Sequence, residues 1–178
     1  AVVVRYRVER VGDAPVKLTA RLFVNGRDHH QETRANDAFQ RDVALSREGR
    51  LLRMTPYAGG PSLWLAHDGA FAADPAWYFN YRHSAESARG LNDHEDAYTP
   101  GVVQCEVADE GSLALVAWSE PCGFDADVDA GALAAELDAA ERTRRAALAE
   151  PWRSQPAEVA RLACAADQFL VWRAGPGS

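Results

Sequence analysis

The feature that most constrains this chain is a strict two-residue alternation of side chains between residues 16 and 24. Apolar residues occupy every second position, namely Val16, Leu18, Ala20, Leu22 and Val24. Because successive side chains of a β-strand point to opposite faces, this period predicts a strand with one buried face. Residues 2–8 also read as a strand and are its expected antiparallel partner, with Gly12, Asp13 and Pro15 forming the turn.

Further short strands are predicted up to residue 118, separated by clusters of Gly, Pro, Asn and Asp. They cover residues 51–55, 62–66, 76–82, 102–107 and 113–118. The last two flank Asp109, Glu110 and Gly111, which predicts a hairpin. No helical pattern of adequate length precedes Asp125, so the sequence favours a mainly β domain over residues 1–124, an antiparallel, supersandwich-like β-sandwich, rather than a βαβ sheet.

The composition changes after Phe124 to Ala, Glu, Arg and Leu, which favours helix. A first helix is predicted from near Asp129 to Pro151, and a second begins after Pro156. The second helix carries an apolar stripe of Val159, Leu162, Ala163, Ala166, Phe169 and Leu170. Residues 125–178 therefore form a predicted helical hairpin, and the part of the stripe that the first helix leaves uncovered predicts self-association or contact with another domain.

Composition excludes several classes of partner. The chain has 19 Lys and Arg against 26 Asp and Glu, a net charge of −7, so no general basic field attracts nucleic acid or an anionic membrane. No apolar run reaches the roughly 20 residues of a membrane helix. The three cysteines, Cys105, Cys122 and Cys164, form no CxxC pair, which indicates a reducing cytoplasm. Because the first strand begins at residue 2 without a lead-in, we expect a fragment of a longer polypeptide.

A first candidate site follows the strongest strand, in the segment FVNGRDHHQETRAN. It concentrates charged and imidazole groups, namely Arg27, Asp28, His29, His30, Glu32 and Arg34. Such groups hydrogen-bond vicinal sugar hydroxyls, but an ion-pair network that ties a long loop explains them equally well. Adjacent histidines on an extended chain point to opposite faces and chelate one metal poorly, so we predict no metal site and no cofactor.

A second candidate site is the segment from Trp77 to Gly101, where aromatic rings and carboxylates are mixed. Rings stack on the C–H faces of a pyranose while polar groups bind its hydroxyls. Trp77, Phe79 and Tyr81 alternate along a strand, which favours core packing for one of its faces, whereas Tyr78 and the loop carboxylates are better candidates for exposure. Linear spacing does not establish the separation that a glycosidase acid and base require, so no catalytic residue is assigned.

These two segments, in this order, resemble bacterial and archaeal glycogen debranching enzymes. FVNGRDHH is similar to the family's P-L-V-x-x-R-D-x-H strand and loop, with Arg27, Asp28 and His30 at the motif positions. The later segment is similar to the family stretch W-Y, Y-x-x-E-x-x-R-G-L, E-D and P-G. The matching positions are Trp77, Tyr78, Tyr81, Glu86, Arg89, Gly90, Leu91, Glu95, Asp96, Pro100 and Gly101. Residues 162–173 resemble the helix that leads into the family's α/α-barrel.

The resemblance implies a non-catalytic N-terminal region of an amylo-α-1,6-glucosidase, a glycoside hydrolase of glycogen catabolism. Its implied partners are the catalytic barrel of the same polypeptide and an α-glucan, and the isolated chain is expected to be inactive. The candidate glucan-binding residues are Arg27, His30, Tyr78, Glu86, Arg89, Glu95 and Asp96. Two other interpretations remain open: an independent carbohydrate-binding module and a purely structural interaction domain.

Overall fold

The fold is described from a computed structural model covering residues 1–9, 14–27, 31–107, 111–119 and 128–170. Antiparallel strands dominate up to residue 118, and helices follow. The strands are β1 (Val2–Arg7), β2 (Val16–Arg21), β3 (Val43–Leu45), β4 (Leu51–Met54), β5 (Leu63–His67), β6 (Ala70–Arg82), β7 (His94–Val107) and β8 (Ser112–Trp118). The helices are α1 (Ser84–Ala88), α2 (Ala130–Ala149) and α3 (Ala157–Asp167), with a 3-10 turn at Glu150–Trp152.

The strands form two antiparallel sheets. One has the order β1-β8-β5-β4-β3, and the other has the order β2-β7-β6. The mainly antiparallel β character predicted from the sequence is therefore confirmed, as are helices at the C-terminal end.

Both predicted hairpins are wrong. Strand β1 pairs with β8, where Val4 faces Leu115, and β2 pairs with β7, where Leu18 faces Cys105. Strands β7 and β8 likewise lie in different sheets. Alternation reports that one face of a strand is buried but does not identify the neighbouring strand, and a turn signal marks only a reversal of the chain.

Strands β6 and β7 both begin earlier than the sequence pattern predicts. The first half of β6 contains Asp74 and Pro75, and its register with β7 shifts between Ala73 and Ala76. The first half of β7 holds charged residues that strands usually exclude, yet Glu95 and Asp96 are only 4% and 7% exposed. The predicted exposure of these two carboxylates is therefore wrong, and Glu95 lies at the centre of the site described below. The sequence-based strands also omitted the three-residue strand β3.

Two apolar clusters contain side chains from both sheets. One is built on Phe39, Met54 and Tyr98, with Trp77 packed against it. The other is built on Val103, Leu113 and Leu115, where β7 and β8 meet. Trp77 thus packs against the core, but the core positions that the same alternation predicted for Phe79 and Tyr81 are wrong, since these side chains are 63% and 39% exposed.

The chain divides into two compact units, residues 1–134 and 135–178. The predicted boundary after residue 124 falls within residues 120–127, outside the described part of the chain. Helix α2 begins where the sequence indicated: the Asp129 carboxylate accepts a hydrogen bond from the amide of Ala132 at 2.8 Å, which satisfies one free amide of the first turn. None of the helices in the described ranges is long and apolar enough to cross a membrane.

The second unit is held together by an ion-pair network. Arg144 on α2 binds Glu141 of the same helix and Asp167 of α3. The hydrogen bonds from Arg144 and Arg145 lower the pKa of Glu141 to about 2. On α3, by contrast, the apolar side chain of Leu162 is 69% exposed, and beyond its end Phe169 and Leu170 are 84% and 80% exposed. Polar contacts therefore join the two helices while much of the predicted apolar stripe is left uncovered.

A substitution at Gly101 tests the close approach of β6 and β7. A Cβ at Gly101 would collide with the backbone oxygen of Ala72 and lie 3.0 Å from the Cα of Ala73 on the facing strand. We expect Gly101→Ala to lower the free energy of unfolding by about 2–3 kcal/mol, since backbone atoms of a paired strand cannot move aside cheaply. Urea denaturation measures the change.

Gly131→Ala is the matched control. Gly131 lies in α2, where an added Cβ meets its nearest neighbour at an ordinary 3.4 Å. Alanine favours helix over glycine by about 0.5–1 kcal/mol, so this variant should be neutral or stabilising. Equal losses in the two variants would contradict the predicted close approach of β6 and β7.

Candidate functional site

The site is assembled where the chain leaves β2 and runs beside β7. Val24 and Tyr98 form an isolated antiparallel bridge, in which the Val24 amide donates to the Tyr98 carbonyl at 2.8 Å. This bridge brings Arg27 next to the start of β7. Gly26 is required at this point, because a Cβ there would lie 2.5 Å from the Cβ of Pro56.

Glu95 is the centre of the site. Its carboxylate accepts two hydrogen bonds from Arg27, from Nε at 2.7 Å and from Nη2 at 3.1 Å. The backbone amide of Thr33 donates to it at 3.2 Å, and Nε2 of His83 lies 2.8 Å from its second oxygen. Both oxygens are thus occupied, and Glu95 joins β7 to the loop that carries Arg27 and Thr33 and to the end of β6.

Burial alone would raise the pKa of Glu95, but the hydrogen bonds from Arg27, the Thr33 amide and His83 outweigh it and lower the pKa to about 2. Glu95 is therefore ionised at neutral pH. A carboxylate with this pKa is unsuited to donate a proton. Glu95 instead holds neighbouring segments together and places a negative charge in the site.

Asp96, the next residue, faces other partners. Its two oxygens accept backbone hydrogen bonds from Ala35 and from Asn80, both at 3.0 Å. The bond from Ala35, assisted by that from Asn80, lowers the pKa of Asp96 despite its burial. Asp96 does not line the cavity that Glu95 borders. It fixes the loop around residue 35 and an irregularity in β6.

Glu86 and Arg89 reach the site through α1. The helix ends in a Schellman motif: Gly90, with φ of 72°, donates to the carbonyl of Ser87, and Leu91 donates to that of Glu86. Glycine is favoured here because the left-handed conformation is costly for other residues. The motif holds Arg89 at the end of the helix, 3.7 Å from the carboxylate of Glu86.

These residues surround an open polar cavity of about 810 Å³. Four of the predicted site residues line it, namely Arg27, Glu86, Arg89 and Glu95. Gln31, Glu32, Arg82 and His83 add further polar groups to its wall. The structure therefore brings together two segments that the sequence singled out separately.

The other predicted site residues lie elsewhere. Tyr78 packs its ring against Phe23, with centroids 5.1 Å apart, and it does not line the polar cavity. Asp96 is buried behind Glu95, as described above. His30 falls outside the described residues.

No sequence motif indicated that His83 belongs to the site. His83 directly follows the last residue of β6. Its amide donates to the carbonyl of Asp93 at 2.7 Å, and its ring contacts Glu95. The sequence clue to His83 was its position directly before Ser84, in the segment from Trp77 to Gly101 that supplies the other candidates. Within the described ranges no group of three or more His, Cys, Asp or Glu side chains is placed to hold a metal ion.

Comparison with known families gives a match over the β-rich part of the chain. The family model described as Glycogen debranching enzyme N terminal matches residues 1–114. This chain belongs to that family. The resemblance inferred from the sequence motifs is thereby confirmed. The motif residues that carried it lie at the Arg27–Glu95 contact, at the end of α1 and at the tight approach of the strands at Gly101.

No curated protein and no solved structure matches the chain. The family match ends at residue 114, so the resemblance of residues 162–173 to the helix before a catalytic barrel stays a prediction.

Replacing Glu95 tests its role as the centre of the site. Glu95→Gln keeps the shape of the side chain but leaves Arg27 without its buried counter-charge, so we expect a loss of about 2–3 kcal/mol in the free energy of unfolding. The exposed Glu106 on the same strand is the control, and Glu106→Gln should cost less than about 0.5 kcal/mol.

The pH dependence of this difference has a defined sign. The pKa of Glu95 in the folded protein, about 2, is below its ordinary value of 4.5, so its stabilising effect is present above pH 4.5 and is lost as the pH falls toward 2. Chemical denaturation of both proteins between pH 7 and pH 3 should show the gap narrowing below pH 4.5. A gap that stays constant would mean that ionised Glu95 does not stabilise the fold.

Proposed function

We propose that this chain is the non-catalytic β-sandwich domain of an amylo-α-1,6-glucosidase, which positions a catalytic barrel and contacts the α-glucan substrate. Family membership supports the debranching context, because residues 1–114 match the N-terminal domain of such enzymes. The free thiols of Cys105 and Cys164 support a cytoplasmic location.

Support for the sandwich comes from the two apolar clusters, which both mix side chains of the two sheets. Val103 of β7 packs with Leu115 of β8, and Met54 of β4 packs with Tyr98 of β7. Shared clusters of this kind are typical of sheets that bury their inner faces against each other.

The observation that carries the glucan contact is the polar cavity. Arg27 and Glu95, separated by 68 residues in sequence, meet in its wall beside Glu86 and Arg89 of the same cavity. Guanidinium and carboxylate groups provide the donors and acceptors that match pairs of sugar hydroxyls. The cavity is open to solvent and large enough for a sugar unit.

Two of the three carboxylates in the second candidate site, Glu86, Glu95 and Asp96, support the proposal that this chain is not catalytic. Glycosidases need a carboxylic acid whose pKa is raised, so that it can protonate the leaving oxygen. The pKa of Glu95 is about 2, and that of Asp96 is also lowered. This supports the proposal that a barrel elsewhere in the parent polypeptide carries out hydrolysis.

The exposed apolar surface of the second unit fits the same proposal. Leu162, Phe169 and Leu170 expose most of their side chains, and such a surface is usually covered by a partner. We propose that the barrel of the parent enzyme covers it. Association with a second copy of the chain is the competing explanation.

The first test is of catalysis. The isolated chain, incubated with a branched dextrin, should release no glucose above buffer level at any pH between 4 and 8, because neither carboxylate can act as the acid. Reducing-sugar assays measure the release. Hydrolysis that disappears in Glu86→Gln would overturn the assignment, since Glu86 is the remaining candidate carboxylate.

The second test is of binding, by nuclear magnetic resonance titration with maltoheptaose. We expect a saturable interaction with a Kd in the millimolar range, since the site is open and offers few contacts. Arg89→Ala should weaken it by on the order of 5-fold to 10-fold because one charged hydrogen-bond donor is lost. The side chain of Arg89 is 71% exposed, so its removal should not disturb folding.

Arg161→Ala is the control, because the side chain of Arg161 is 78% exposed and lies on α3. It should bind like the unmodified protein. A micromolar Kd would favour an independent carbohydrate-binding module. A silent titration would exclude glucan contact and leave the structural interaction domain.

A further inference from the structure

Three aromatic rings form an exposed group next to the polar cavity. Phe23 contacts the rings of Tyr78 and Tyr81 edge to face, with centroids 5.1 and 5.6 Å away. Phe23, Tyr78 and Tyr81 are 45%, 37% and 39% exposed. Buried rings of this fold, such as Tyr98, lie in the core clusters instead. We call these three residues the aromatic platform.

A β-bulge builds the platform. In a regular strand, residues 78 and 81 would point to opposite faces. Here Tyr78 pairs with Ala97 and Tyr81 pairs with Glu95, so two residues of β6 oppose the single residue Asp96 of β7. The extra residue brings both tyrosines to one face, as bulges beside functional sites commonly do.

Asp96 stabilises this bulge. Asn80 has φ of 59°, a left-handed conformation that is uncommon outside glycine, and its amide donates to Asp96 at 3.0 Å. The same carboxylate holds Ala35 on the other side. The buried carboxylate of Asp96 and the left-handed conformation of Asn80 thus together hold the bulge that brings the two tyrosine rings to one exposed face.

Tyr78 supports the platform from one side. The guanidinium carbon of Arg21 lies 5.8 Å from the centre of the Tyr78 ring, and Arg21 also binds Asp74 at 2.7 Å. The two tyrosine rings are nearly parallel, with an angle of 27° between their planes. Arg21 thus contacts Tyr78, whereas Phe23 and Tyr81 line the neighbouring groove.

Phe23 and Tyr81 line a groove of about 280 Å³ that also contains Asn25, His83 and Glu95. His83 and Glu95 border the polar cavity as well, so the groove and the cavity meet at these two residues. Apolar rings flanked by an amide and an imidazole suit a ligand that has a C–H face and hydroxyl edges.

We propose that the Tyr81 ring stacks against the face of one pyranose ring and that the Phe23 ring, inclined at 74° to it, contacts the side of the same sugar, whose hydroxyls point toward Asn25 and His83. Tyr78 and Asp96 act as positioning residues that hold these two rings. That this pyranose belongs to an α-glucan rests on the proposed function, because the chain of sugar units would continue into the polar cavity. Stacking itself does not depend on that assignment.

Ring resonances of the unmodified protein give the primary test. Titration with maltoheptaose should shift the aromatic proton signals of Phe23 and Tyr81, and Tyr81→Ala should weaken binding by on the order of 10-fold. Tyr81→Phe keeps the ring and should bind nearly as well as the unmodified protein. Tyr6→Ala is the matched control, because Tyr6 is 48% exposed on β1 of the other sheet and should leave binding unchanged.

The outcomes separate the two proposals. Loss of binding in Arg89→Ala with full binding in Tyr81→Ala, and with unmoved ring signals, would overturn the platform and keep the glucan contact. Ring signals that respond to cellohexaose but not to maltoheptaose would keep pyranose stacking and overturn the α-glucan assignment. Ring signals that respond to neither sugar, or only to protein concentration, would overturn the platform.

Discussion

The geometry of the site depends on the carboxylate of Glu95. Its position on β7 is nearly closed to solvent, and an ion there is tolerated only because Arg27, Thr33 and His83 replace the lost water. Arg27 and Thr33 come from the segment that follows β2, and His83 comes from the end of β6. If the pair were broken, the uncompensated charge would favour opening of the loop around Thr33 and separation of the cavity walls.

Glu95 and Asp96 hold different parts of this end of the domain in place. Because neighbouring residues of a strand point to opposite faces, Glu95 reaches the cavity while Asp96 reaches Ala35 and Asn80. One carboxylate joins loops across the polar cavity, and the other fixes the bulge beneath the aromatic platform. Two adjacent acidic residues, which in isolation suggest an acid and base pair, thus serve as anchors of two different surfaces.

The family motifs correspond to local physical requirements. Gly90 ends α1 in a conformation that favours glycine, and Gly101 admits the backbone of the facing strand. Arg27 pairs with the buried carboxylate of Glu95. A motif of this kind marks the positions where the fold tolerates few side chains. It also places side chains that line the polar cavity, such as Arg89, by fixing the backbone around them.

The sequence by itself determined the strands with apolar alternation, the start of α2 at Asp129 and the family, because these depend on local patterns and short motifs. It also singled out Arg27 and Glu95, although it left recognition and ion pairing as equal explanations. Only the tertiary structure decided that β1 pairs with β8, that His83 joins the site, and that a bulge turns Tyr78 and Tyr81 to one face. These features depend on contacts between distant segments, and a period of two residues specifies which side of a strand is buried without specifying what lies against it.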